Sequence, residues 1–123
     1  MSIFFEAEVE GNTLIVTTSG MDDNVQQVVE YGRALIRLAV EAEVRHVLCD
    51  ERSLTYAIET FDIFDAARTI AEEAPKVGRI AIVCRPEFLG DGKFWETVAV
   101  NRGLQVRVDT DFERARIWLA AAT

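Results

Sequence analysis

Four groups of residues in this 123-residue chain have the types and spacing that chemistry requires. Asp50-Glu51-Arg52 and Asp91 place carboxylates just beyond two apolar runs, and paired carboxylates do acid–base work when their surroundings push their pKa values apart. Gly90-Asp91-Gly92-Lys93 has the glycines and the lysine of a phosphate-holding loop. His46, the only histidine, has the side chain whose ordinary pKa lies nearest neutrality. Cys49 and Cys84, the only cysteines, each end an apolar run.

Each group lacks a part. A phosphate loop needs a glycine five residues before Gly92, where this chain has Glu87, and a Ser or Thr after the lysine, where it has Phe94. What remains is an anion site on the backbone amides of Gly92 and Lys93 at the start of a helix. No nucleophile or metal triad accompanies the carboxylates, which are read as solvated loop charges. His46 sits two residues from Leu48 inside an apolar run and is read as a hydrogen-bonded strand histidine. There is neither a C-x-x-C nor a G-x-S-x-G pattern, and the cysteines are read as small buried hydrophobes. No catalytic, cofactor or metal residue is assigned, and the chain is read as not an enzyme.

The elements that position these groups follow from periodicity. Ile3 to Val9 and Thr13 to Ser19 are β-rich runs about Glu10-Gly11-Asn12, which predicts an antiparallel hairpin. Met21-Asp22-Asp23-Asn24 offers caps for a first helix carrying Val25, Val28, Val29, Gly32, Leu35, Ile36 and Ala39. Val44 to Cys49 is a third strand and Asp50 to Glu59 a loop. A second helix follows, with a stripe of Ile63, Phe64, Ala67, Ile70, Ala71 and Ala74, stopped by Pro75. Ile80 to Cys84 is apolar at every position, as in a strand buried on both faces. Pro86 to Gly92 is a loop, Phe94 begins the stripe of a third helix that ends at Gly103, and Leu104 to Val108 alternates like an edge strand. Thr110 and Glu113 form a capping box for a last helix with Phe112, Ala115, Ile117, Trp118 and Leu119.

The predicted fold is therefore α/β: a five-stranded mixed sheet, an N-terminal antiparallel hairpin followed by parallel βα units, and four helices. The hairpin strand from Ile3 and the strand from Leu104 form its edges. Residues 1–123 make one domain, since 50% hydrophobic and 28% charged residues are the composition of one packed globular unit. A net charge of −8 with dispersed basic residues argues against nucleic acid and anionic membrane surfaces as partners. With no basic leader and no apolar run near the roughly 20 residues of a membrane span, a cytoplasmic protein is expected.

The element order, with Phe94-Trp95-Glu96-Thr97-Val98-Ala99-Val100-Asn101-Arg102-Gly103 through Val106 and Asp111-Phe112-Glu113 to Trp118-Leu119, resembles the STAS-like domains. That group includes bacterial anti-sigma-factor antagonists, is structurally akin to the lipid-binding CRAL-TRIO fold, and has small stand-alone bacterial members of undefined role. Antagonists of the group carry an Asp-Ser-Ser-Gly-type phosphoacceptor sequence at the start of the second helix. Here that region reads Asp50-Glu51-Arg52-Ser53-Leu54-Thr55-Tyr56-Ala57-Ile58-Glu59-Thr60. The motif is not present in it, and Ser53, Thr55 and Thr60 are hydroxyls without a residue match.

The resemblance implies a protein-interaction or regulatory module whose partner is another protein or a second copy of the chain. Loops after strand C-termini share one rim in such a sheet, which brings Asp50 to Thr60 beside Arg85 to Lys93. The expected interaction surface is an aromatic centre of Tyr56, Phe88 and Leu89 with Asp50 and Arg52 at its margin. The alternative is a binder of a small apolar or nucleotide-like ligand held between the second and third helices and the sheet.

Overall fold

Gly11, at φ +61°, lets the chain reverse between β1 (Ile3–Glu10) and β2 (Thr13–Asp22), which pair antiparallel. Asn12 at the tip ties the hairpin to the next strand: its side-chain oxygen accepts from the Arg45 amide and its carbonyl from the His46 amide. The computed structural model describes residues 2–74 and 77–121. Pro75, read above as the stop of the second helix, lies outside them.

After the hairpin come α1 (Val25–Glu41), β3 (His46–Tyr56), α2 (Thr60–Glu73), β4 (Arg79–Val83), a 3-10 turn at Pro86–Phe88, α3 (Leu89–Asn101), β5 (Gln105–Asp109) and α4 (Phe112–Ala120). The strands lie in sequence order from β1 to β5, and β2 to β5 are parallel. The edges are thus β1 and β5. Ile80 to Val83 stands between β3 and β5, with alternate residues serving two cores. Ile82 and Cys84 join Leu14, Val16, Leu35 and Ala39 beneath α1, α2 and α3. Ala81 and Val83 join Leu48, Ala115 and Leu119 beneath α4. Each such side chain, fully buried, contributes about 1.5–3 kcal/mol if it is a valine or leucine.

Several boundaries differ from those the sequence suggests. The predicted loop after Cys49 is strand as far as Tyr56, because Ser53 to Tyr56 pair with Ser19 to Asp22 of a β2 that also runs longer. Asp22 accordingly ends a strand and is buried, while Asn24 caps α1 by accepting from the Gln26 and Gln27 amides. Pro86 to Gly92 is helical, and Gly92 lies against β5: a Cβ there would come within 2.6 Å of a Val108 methyl. The glycine serves close packing of α3 on the sheet. Gly92 and Lys93 stand at the fourth and fifth positions of α3, past the exposed amides of its first turn, so the proposed anion site is not formed. The cap of α4 is Asp111, whose carboxylate accepts from the Arg114 amide, in place of Thr110. Phe64 is on the outer side of α2, under the Arg102 guanidinium, and the inner side is Ile63, Ala66, Ala67, Ile70 and Ala71. Ile117 likewise faces outward.

Candidate functional site

β3 holds one more residue than β2 at one point of their pairing. Thr17 is opposite Asp50 and Ser19 opposite Ser53, so Glu51 and Arg52 together span Thr18. Such a bulge resets the strand's alternation. Val47, Cys49 and Glu51 face the helices before it, and Leu54 and Tyr56 do so after it. Arg52 and Ser53, at the reset, are both exposed.

Glu51 is 7% exposed and its carboxylate is held by hydroxyls from two elements. Tyr31 of α1 donates to Oε2 at 2.8 Å and Tyr56 donates to Oε1. Tyr31 also lies 2.7 Å from the Thr18 hydroxyl and meets Phe5 edge-on. Burial pushes the Glu51 carboxyl up to about 7 despite both tyrosine bonds, and the nearby Asp22 and Asp50 charges push the same way. Burial likewise raises Asp22 to about 6, against the Ala57 and Ile58 amides that favour its charged form. The Ala57 amide donates to Asp22 at 2.6 Å. Both tyrosines are held well above their usual range, first by burial, and so serve as neutral donors.

Beside this cluster lies a cavity of about 110 Å³ between the sheet and the three helices of that face. Leu35 of α1, Ile63, Ala66 and Ile70 of α2, and Trp95 of α3 wall it, with Glu51 and Asp22 at the sheet. The short alanine side chains of α2 leave the space open. The Trp95 indole nitrogen is buried with no hydrogen-bond partner among the described residues.

The residues expected to form an interaction surface are divided. The Tyr56 and Phe88 rings stack at 5.2 Å, so the end of β3 and the turn after β4 do meet. Arg85 lies over Phe88 and donates to the Thr55 hydroxyl and the Leu54 carbonyl. Tyr56, however, turns its hydroxyl inward to Glu51, and Leu89 packs on the helix-side core. Asp50 and Arg52 form a two-bond ion pair at 2.7 and 2.8 Å on the other face, with Arg52 over Phe112 of α4. Ser53 and Thr60 are exposed. His46 Nδ1 accepts from the Arg79 amide across β3 and β4, a structural role. Cys49 and Cys84 are free thiols buried in the helix-side core. Glu51, read above as a solvated loop charge, is the central polar group of that core, and Tyr31 and Asp22 join it. Tyr31's place three residues after Val28 and four before Leu35 was the available signal.

Tyrosine donors and a carboxyl titrating near neutrality in an apolar wall can bind and orient a polar group. Among the described residues no set of three or more His, Cys, Asp or Glu is arranged for a metal ion, and no helix is long and apolar enough to cross a membrane.

No protein-family model and no curated protein matches the chain. Solved structures do. An anti-sigma factor antagonist from Mycobacterium paratuberculosis superimposes with a TM-score of 0.66 at 14% identity, covering 97% of this chain and 95% of that one. An uncharacterized DUF3478-family protein with a SpoIIAA-like fold, from Shewanella loihica PV-4, gives 0.56 at 18% identity over 96% and 94%. At such identities the likeness is one of architecture: this chain has the STAS-like α/β fold shared by that anti-sigma factor antagonist and by the SpoIIAA-like protein.

Proposed function

We propose that the chain is a non-enzymatic regulatory module that acts by contacting a protein partner at the rim beyond β3 and β4. The observation that carries this reading is the joining of two sequence-distant segments there, by the Tyr56–Phe88 stack and the Arg85 bonds to Leu54 and Thr55. Arg85, Glu87 and Phe88 line that joined segment, while the exposed Arg52 lies on the α4 face. The likeness to an anti-sigma factor antagonist supports it. The test uses Phe88→Asp and Glu87→Arg, both in the turn after β4, with Arg37→Glu on α1 as the control, because Tyr56 holds Glu51 and its replacement would disturb the fold. Affinity purification with cross-linking, and size-exclusion chromatography for self-association, should show the two rim variants losing a contact that the wild type and the control keep. Retention of every contact by folded rim variants would refute it.

A second reading, a binder of a small apolar ligand, is favoured by the cavity against Glu51. The two readings are compatible, since the same Tyr56 closes the cavity wall and stacks on the rim's Phe88.

A further inference from the structure

The charge of the cavity wall is one-sided. Of its described lining residues, Asp22, Glu51 and Asp91 are acidic and none is basic. Glu51, although more than nine-tenths buried, is held by tyrosine hydroxyls alone, and Asp22 by backbone amides. An opposite charge within about 4–6 Å favours the ionised form of a buried carboxylate, and none of these partners supplies one. Arg52, the residue next to Glu51, is spent on Asp50 on the opposite face of the sheet. The Trp95 indole N–H, in the same wall, is a further buried polar group without a partner among the described residues. As a donor it needs an acceptor, which a water supplies and an ammonium does not, so it reports on the cavity without choosing its occupant.

Size limits the occupant. An apolar cavity of about 150 Å³ holds one benzene, so about 110 Å³ admits a body of roughly four or five non-hydrogen atoms. A long acyl chain is excluded. An anion would bring a further negative charge to Glu51 and Asp22, and a neutral molecule would leave theirs uncompensated.

Resting on the ligand-binding reading, we propose that the cavity takes a small apolar amine, its short or branched hydrocarbon between α2 and the sheet and its ammonium set against Glu51. The groups that face or act on Glu51 are Asp22 from β2, Tyr31 from α1, Cys49, Asp50 and Tyr56 from β3, Cys84 after β4, and Asp91 from α3 by way of Asp22. None is a cation. Binding an ammonium therefore favours the ionised carboxylate and releases a proton wherever Glu51 is still protonated.

Three probes with one short chain and different heads test this: 1-propylamine, 1-propanol and propanoate. Titrations are followed by calorimetry and by the indole N–H resonance of Trp95, with that of Trp118, beneath Arg79 on the α4 face, as an internal control. The amine should bind about tenfold more tightly than the alcohol, and the carboxylate least. Amine affinity should rise roughly tenfold from pH 6 to pH 8, while the amine itself stays protonated. Glu51→Gln should remove the preference for amine over alcohol; Asp22→Asn should reduce it if Glu51→Gln does not fold. Failure of all three probes to move the Trp95 signal would overturn both the ligand-binding reading and the amine assignment. Alcohol or carboxylate binding as tightly as the amine would overturn the amine assignment alone.

Discussion

Asp50 and Glu51 are neighbours on one strand and have opposite surroundings. Asp50 points to the α4 side, where the Arg52 side chain lowers its pKa by hydrogen bonding and solvent reaches both partners. Glu51 points to the side covered by three helices, where burial raises its pKa to about 7. The first carboxylate is comfortable as an anion, and the second is kept at a cost by its neighbours. What the pair teaches is that the chemistry of a carboxylate here is set by which face of the sheet it meets, and the ordinary alternation of β3 decides that.

The largest effect that would break this comparison is on pH-dependent stability. The folded pKa of Glu51 lies above its ordinary 4.5, so the native state binds the extra proton between about 4.5 and 7. Its stabilising share is complete below that window and is lost as the pH rises through it, by about 3 kcal/mol. Urea unfolding from pH 5 to pH 8 should show the fall, and Glu51→Gln should flatten it to the part due to Asp22. At the acid end the sign reverses. Asp109, lowered to about 2 by Arg114, loses its contribution as the pH drops toward that value, and Asp50, lowered by Arg52, loses its own as the pH falls below the ordinary carboxylate range.

Next in size is the removal of a donor. Tyr31→Phe leaves the Glu51 carboxylate short of one hydrogen bond and the Thr18 hydroxyl without its tyrosine, and should cost about 1–3 kcal/mol at pH 8 by denaturant titration. A cost below a few tenths would show that water already serves the cluster. Asp111→Ala removes the cap of α4, on the other side of the sheet, and should cost about 1 kcal/mol. The smallest effect belongs to the exposed pair: Arg52→Ala should change unfolding by less than about 1 kcal/mol, for all the short distances of its two bonds. A larger loss there than from Tyr31→Phe would invert the comparison.

The architecture was legible because its signals are local. Gly11 and Asn12 mark the hairpin, the unbroken run Ile80 to Cys84 marks a strand with two covered faces, and the alternation from Leu104 marks an edge. The polar cluster was not legible, for a physical reason. A bulge spans Glu51 and Arg52, so no single period-2 pattern runs through Val47 to Tyr56, and the second half of β3 reads as a charged loop. Its strand character comes from pairing with Ser19 to Asp22, a partner more than thirty residues away. Phe64 failed in the opposite way: a large apolar residue at helical spacing faces solvent beneath Arg102 while alanines face inward, which is also what leaves room for the cavity. Composition cannot disclose a void.

The order of the strands has a kinetic consequence. Each strand of this sheet pairs with the one made just before it, from β1 to β5, and no strand has to be inserted between two already in place. The sheet can therefore grow at one open edge as the chain leaves the ribosome, hairpin first, with each new βα unit closing a loop of similar length. Until β5 arrives, the edge still waiting is β4, the most apolar strand of the sheet, and α4 cannot cover its second face before then. The species most exposed to aggregation during synthesis is thus the chain that ends within α3, and the last quarter of the sequence acts as its closing cover.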